Sequence, residues 1–338
     1  MKQRVLIIGP HYYNFLPAVS NAFQELGWQT DVVGYDTPVH PYTTWMKCKY
    51  KLCRDKERIR KKSREKFSKI IKQRFTEYQP DVVFIMNGDI LEPPTLDFFR
   101  QSAKVALWFF DNRKAIPISI GHVDHVNALF CFDRDDVDWY ADQGKKAFFL
   151  PQACDPAIYR PLNLEKNIDI LFIGNLFYSP KRKALMNAVI DRFPEQKIVV
   201  YGWYQPWFKG VWKWLTRPHK DIYKNVNVTS EQANVLYNRT RIALNIHQER
   251  QTNGANPRIF EICGTGAYQV CDRNPYVESL FPDGSVGFYG NKEELFALLS
   301  DALANDKFEL AQRAMQTVLC DHTFKNRIET VLSVLGCR

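Results

Sequence analysis

Short apolar runs that alternate with helix-spaced segments constrain this 338-residue chain more than any other feature. The runs at 5–9, 30–34, 79–86, 104–110 and 128–132 have strand length and are largely apolar, which suits strands buried on both faces. Between them lie helical patterns at 16–26, stopped by Gly27, at 47–74 and at 94–100. Strands separated by helices imply a parallel sheet with covered faces. Three prolines, Pro151, Pro156 and Pro161, then interrupt all periodicity, as a linker does. The alternation restarts beyond them, with strand-like runs at 168–174, 197–202, 242–246 and 267–271 and helical segments at 182–193 and 230–239. The length exceeds one ordinary core, so two βα sheets of roughly 150 residues each are expected.

Residues 253–267 follow one of these runs and lead into the next. Gly254, Gly264 and Gly266 stand with Arg258 and Glu261 around the start of a short apolar helix. In an α/β sheet an anionic ligand binds at such a strand-to-helix turn. Hydrophobic residues make up 45% of the chain and charged residues 25%, as in a soluble globular protein. No apolar run approaches the ~20 residues of a membrane-spanning helix and no signal-peptide pattern opens the chain, so a cytoplasmic protein is expected. The eight scattered cysteines include no Cys-x-x-Cys pair, and reduced thiols, most of them buried, are expected rather than disulfides or a zinc site. The net charge of +9 is concentrated in 47–74, where fourteen Lys and Arg face only Asp55, Glu57 and Glu65. One basic helix therefore carries a local surface, and the remaining chain is slightly acidic.

Several pieces of the second half carry a resemblance through their order. They are LPQACDPAIYRP at 150–161, DILFIGNL at 169–176 followed by Lys181 and Arg182, YGW at 201–203, LNIH at 244–247, NPRIFEI at 256–262 and HTFKNR at 322–327. Together they resemble the GT-B glycosyltransferases, and 150–330 is similar to the spore-maturation CgeB-like branch related to glycosyltransferase family 4. The first half is similar in pattern only. The resemblance implies an α/β protein of GT-B architecture, with two Rossmann-like domains facing across a cleft. Residues 1–155 would form the acceptor domain, 156–320 the donor-binding domain, and 321–338 a helix packing back on the N-terminal domain. The implied activity is metal-independent transfer of a hexose-type sugar from a nucleotide-diphosphate sugar to a glycan or glycolipid acceptor, as in polysaccharide biosynthesis. No cofactor is implied beyond that donor substrate.

A diphosphate needs backbone N–H groups and fixed positive charge, and Gly174, Asn175, Lys181, Arg182 and Arg258 supply both. Glu261, near the first turn of its helix, resembles the family carboxylate that accepts from the ribose hydroxyls. Tyr201, Gly202, Gly254 and Asn256 lie on the same donor-binding motifs, and His247, past its strand, is expected near the donor sugar. Family 4 enzymes carry Glu-x7-Glu, but eight residues before Glu261 stands Asn253, an amide that can bond a hydroxyl and cannot carry charge. The stereochemical outcome therefore cannot be borrowed from that pair. Two local readings stay open beside these: an i,i+3 ion pair between Arg258 and Glu261, and a helix dipole favouring Glu261.

An inverting transfer also needs a base for the acceptor hydroxyl. His11, Asp89 and Asp111 each follow a strand of the first half, the position from which such a group serves a cleft, although each also suits a cap or turn. Asp133-Arg134-Asp135 mimics a metal-binding motif, yet it precedes a helical run and is read as N-capping, with no metal. The basic helix, together with the four tryptophans and lysines of 203–214, suits an anionic membrane surface at the inner face, where the protein would sit peripherally. Nucleic acid is a lesser alternative, since no recognition motif accompanies the charge. A catalytically inactive scaffold is the other, and Asn253 keeps it open.

Overall fold

The computed structural model describes residues 2–11, 14–37, 39–249 and 251–337. The chain divides into two compact units, Met1–Pro151 with Phe324–Arg338, and Gln152–Thr323.

In the first unit β1 (Arg4–Pro10), β2 (Gln29–Tyr35), β3 (Val82–Met86), β4 (Lys104–Phe109), β5 (Ala128–Cys131) and β6 (Phe148–Phe149) form one parallel sheet. Its order is β2-β1-β3-β4-β5-β6. β3 is central, and all five of its residues are apolar and buried, because helices cover both faces of a parallel sheet. β2 lies at the edge and leaves Gln29 and Val32 exposed. The chain passes from β1 to β2 on one side and later to β3 on the other, which creates a switch point at the carboxyl ends of β1 and β3.

The basic stretch expected as one helix over 47–74 is two helices, Thr44–Leu52 and Lys56–Tyr78. Cys53 is extended, and the Asp55 carboxylate caps the second helix by accepting from the Arg58 N–H at 3.0 Å. A cap that satisfies an otherwise orphaned N–H outweighs a continuous charge pattern. The helix Phe324–Leu335 belongs to the first unit and packs on the helix Phe15–Glu25. Phe324 meets Phe15 and Trp108 with ring centroids 6.1 and 6.4 Å apart, and buried Arg327 donates from Nε to the Pro151 carbonyl at 3.0 Å.

In the second unit β7 (Ile168–Ile173), β8 (Ile198–Tyr201), β9 (Thr240–Asn245), β10 (Tyr268–Asp272) and β11 (Gly287–Tyr289) are again parallel, in the order β11-β10-β9-β7-β8. Helices Pro180–Arg192, Ser230–Asn238 and Pro257–Gly264 connect them. Here the order reverses between β7 and β9, so the loops opening at Gly174 and Ile246 flank the crevice where such sheets take ligands. Among the described residues no helix is long and apolar enough to cross a membrane.

Candidate functional site

The loops after β7 and β9 are tied together by a buried cation. Arg182, in the first turn of the helix Pro180–Arg192, donates from Nε and Nη2 to the Ile246 carbonyl at 2.9 and 2.5 Å and from Nη1 to the Asn175 carbonyl at 3.2 Å. The Asn175 side chain in turn accepts from the Phe177 N–H at 2.9 Å, which shapes the loop. Gly174 and Gly202 bring the β7 and β8 ends into backbone contact. A Cβ on Gly202 would lie 2.0 Å from the Gly174 carbonyl oxygen, and its φ of +118° suits glycine alone. Tyr201, half-buried at the end of β8, accepts from the Gly174 N–H at 2.9 Å.

A charged network closes the carboxyl ends of β9 and β10. Asp272 accepts from the His247 N–H and Nδ1, each at 2.8 Å, and from Lys181 Nζ at 2.7 Å. Burial opposes ionisation of Asp272, but His247 and Lys181 outweigh it and hold the carboxyl well below its ordinary range. Since a carboxylate only accepts, the His247 proton sits on Nδ1. Nε2 is then left buried with no hydrogen-bond partner among the described residues. Glu249 accepts from Ser179 Oγ at 2.9 Å and from the Lys181 N–H at 3.3 Å, so a carboxylate covers the start of this helix. His247, Cys271 and Asp272 also place three metal-ligating atoms within 4.8 Å of one another, although a cation there would compete with Lys181 for the carboxylate.

Asn256 starts the helix Pro257–Gly264, accepting from the Ile259 N–H at 3.3 Å and exchanging amide bonds with Asn245 at 2.9 and 3.2 Å. The last residue of β9 thereby fixes the start of that helix. Glu261 is the fifth residue of that helix, just past the first turn that Asn256 and Pro257 set. Its buried carboxylate accepts from Arg258 Nη1 at 2.5 Å, the i,i+3 pair read from the spacing. Gly254 is buried, with its carbonyl accepting from Asn274 Nδ2 at 3.2 Å, and Asn253 beside it is half-buried.

In the first unit the residues held as candidate bases occupy separate settings. His11 follows β1 with its ring laid over Gly34, where a Cβ would meet Nε2 at 2.0 Å. Its Nδ1 lies 3.4 Å from Asp36. Burial pushes the Asp36 carboxyl up, but the Tyr42 N–H and His11 outweigh this and its pKa is lowered. Asp89 accepts from Tyr35 Oη at 2.6 Å, and burial raises its pKa despite that bond. Asp36 and Asp89 line one cavity of about 370 Å³ with Arg60 and Arg64. Asp111 is half-buried just past β4. Asp133 is the N-cap of the helix Arg134–Asp142, accepting from the Asp135 N–H at 3.0 Å.

Asp36, Asp272, Ser179 and Glu249 were not singled out from the sequence. Asp272 was the most accessible of them, since it ends a strand just as Asp111 follows one. The tryptophan-rich insertion forms a short 3-10 turn and the helix Val211–Leu215, with Trp207, Phe208, Val211 and Trp212 exposed.

Two parallel sheets joined in this way define a GT-B-fold protein, and solved structures share the fold over nearly the whole chain. Sucrose-phosphate synthase from Thermosynechococcus elongatus aligns over 99% of both chains with a TM-score of 0.67 and 10% identity. HepE of Anabaena, solved in complex with UDP and glucose, aligns over 99% of this chain and 100% of its own, at 0.66 and 9%. AviGT4, a glycosyltransferase involved in avilamycin A biosynthesis, aligns over 99% and 97%, at 0.63 and 16%. Residues 181–333 match the family model described as glycosyl transferase-like, which spans Lys181, His247, Arg258, Glu261 and Asp272. No curated protein sequence matches the chain.

Proposed function

We propose that this protein is a glycosyltransferase that takes a sugar from a nucleotide-diphosphate sugar and passes it, without a metal ion, to a glycan or lipid-linked acceptor. The observation that carries the reading is the buried His247 Nε2, oriented through Asp272 at the β7–β9 switch point and lacking a partner among the described residues. A sugar hydroxyl would complete that imidazole, because buried polar atoms are rarely left without hydrogen bonds. The family match over 181–333 supports the same region. Glu261 would accept from the ribose hydroxyls, while Arg258 and Lys181 would face the diphosphate, with Arg182 bracing the loops behind them.

His11 is the preferred base, with Asp36 orienting Nδ1 and leaving Nε2 to receive the acceptor proton; Asp89 and Asp111 are the alternatives. Loss of the true base should lower kcat by roughly 10²–10⁴ while nucleotide binding survives. His11→Asn, Asp89→Asn and Asp111→Asn, assayed separately, identify it. Exposed Trp207 and Trp212 beside Lys209 and Lys213 would hold the enzyme at an anionic membrane surface. Co-sedimentation with anionic vesicles that Trp212→Ala leaves unchanged would remove that role.

The donor reading is tested by thermal unfolding with UDP, GDP, CDP, ADP and their sugars, each with and without EDTA. A ligand at about 100 times its Kd should stabilise the protein by roughly 2.7 kcal/mol. One nucleotide series should raise Tm equally in both conditions. If none does so at millimolar concentration, the donor assignment fails, and if EDTA abolishes the effect, metal independence fails.

A further inference from the structure

A cavity of about 590 Å³ lies between the helices Thr44–Leu52 and Lys56–Tyr78, and none of the residues assigned above to the donor or to catalysis lines it. Its wall carries Lys49, Arg58, Lys62 and Lys66, and no Asp or Glu lines it. Arg58, Lys62 and Lys66 recur at i, i+4 and i+8, so they form one stripe on the long helix. Like charges at that spacing repel and destabilise a helix. None of these four cations is paired with a carboxylate among the described residues, and other arginines of the same helix show the contrast. Arg60 and Arg64 reach Glu57, Arg64 also reaches Glu92, and Arg74 reaches Asp31. Among the described residues carboxylates thus hold these three arginines, whereas the exposed cations on the cavity wall, like Lys56, Lys61, Lys69 and Lys72 elsewhere on the helix, have none.

The remaining wall is mixed, with the polar His40, Thr43 and Ser63 beside apolar side chains. Trp45, Met46 and Ile59 contribute to it, and Lys49 lies over the Trp45 ring at 4.7 Å. Thr43, which caps the helix Thr44–Leu52 by accepting from the Met46 N–H, also lines the cavity, so the positive end of that helix adds to the cations. The volume is that of an ordinary small-molecule site. Four cations with no carboxylate partner among the described residues, beside the apolar Trp45, Met46 and Ile59, suit an anionic head and an attached hydrocarbon chain in the same molecule. We propose that this cavity binds a phosphate ester carrying an apolar chain. The head would sit against Arg58, Lys62 and Lys66 and the chain against Trp45, Met46 and Ile59. Such a ligand could come from a membrane or from solution, and the chemistry of recognition is the same.

The test is direct binding of geranyl phosphate to the full chain by calorimetry, compared with geraniol, inorganic phosphate and vesicles containing phosphatidic acid. Saturable binding of dissolved geranyl phosphate, at least about tenfold tighter than inorganic phosphate or geraniol, is expected, since charge-assisted bonds and apolar burial act together. Arg58→Ala/Lys62→Ala and, separately, Lys62→Glu should each weaken it about tenfold or more. Lys61→Ala, which removes an exposed cation that does not line the cavity, should leave it unchanged. The ligand-free Tm of Lys62→Ala should stay level or rise, because the substitution relieves repulsion along the stripe.

Affinity unchanged in both cavity variants, or inorganic phosphate binding as tightly as geranyl phosphate, would overturn the proposal. A lowered ligand-free Tm in Lys62→Ala would do the same by showing that the stripe is structural. Binding confined to vesicles would also count against it, indicating surface attraction instead of a cavity. None of these readouts involves sugar transfer, so their failure leaves the donor reading untouched.

Discussion

At the scale of single residues, the second unit depends on a few positions whose surroundings admit one kind of side chain. Gly202 is the strictest, because positive φ and contact with the Gly174 carbonyl coincide there. Gly202→Ala should destabilise the protein by roughly 2–4 kcal/mol, the cost of a strained backbone plus displacement of the neighbouring loop. Urea unfolding would show this, and a loss below about 1 kcal/mol would mean that the β7 and β8 loops separate freely. Glu261 is a different case. Its carboxylate already pairs with Arg258, so Glu261→Gln keeps an acceptor oxygen but loses the charge. On the donor reading, affinity for the nucleotide found in the thermal panel should fall roughly 10–100-fold, as expected for a charge-assisted hydrogen bond. Calorimetric affinity equal to that of the unmodified protein would remove Glu261 from the ribose contact.

At the scale of elements, apolar periodicity was the readable signal, and it located strands well when they were central. β3, β4, β7 and β9 are buried continuous runs that no helix of that length would need. β6 and β11, with two and three residues, carry too little pattern to register, and the helices Lys292–Ala304 and Phe308–Asp321 went unremarked. The break at Cys53 was hidden because charge continues across it, and only the cap at Asp55 marks it. Much of the Asp272 network was hidden as well, since its pairs join residues 25 and 91 positions apart. The 3-10 segment Pro117–His125 holds a further unannounced feature. His122 is buried there with neither ring nitrogen partnered among the described residues, and burial, followed by the charge of His125, lowers its pKa to about 4. The unfolded chain takes that proton near pH 6.5 and the folded one does not, so stability is complete above about 6.5 and falls as pH drops toward 4. The loss should reach roughly 3 kcal/mol, and His122→Phe should flatten this part of the profile relative to the parent chain. Urea midpoints at pH 7 and 4.5 that shift equally in both proteins would show that the imidazole is protonated in the folded state.

At the scale of the molecule, the first unit is discontinuous in sequence and the second is inserted within it. The last helix therefore completes a core laid down by the first half of the chain. Ile328 and Val331 are fully buried in it, and Lys104 Nζ, at the start of β4, donates to the Leu335 carbonyl at 2.6 Å. Ile328→Ala removes three buried carbons, and the cost should be roughly 2–5 kcal/mol depending on how far the helix Phe15–Glu25 settles into the gap. Because that core belongs to one unit, the loss should be local. Hydrogen exchange should accelerate in Phe15–Glu25 and β4, while β9 and β10 change far less. Chains of two units need not unfold in one step, so the comparison is made by peptide and not by a single Tm. The thermal panel supplies the reverse case, in which a bound nucleotide slows exchange in β9 and β10 and leaves Phe15–Glu25 near its original rate. Equal slowing in both sets would mean that the units open together, and Ile328→Ala would then weaken nucleotide binding although it touches none of the donor residues.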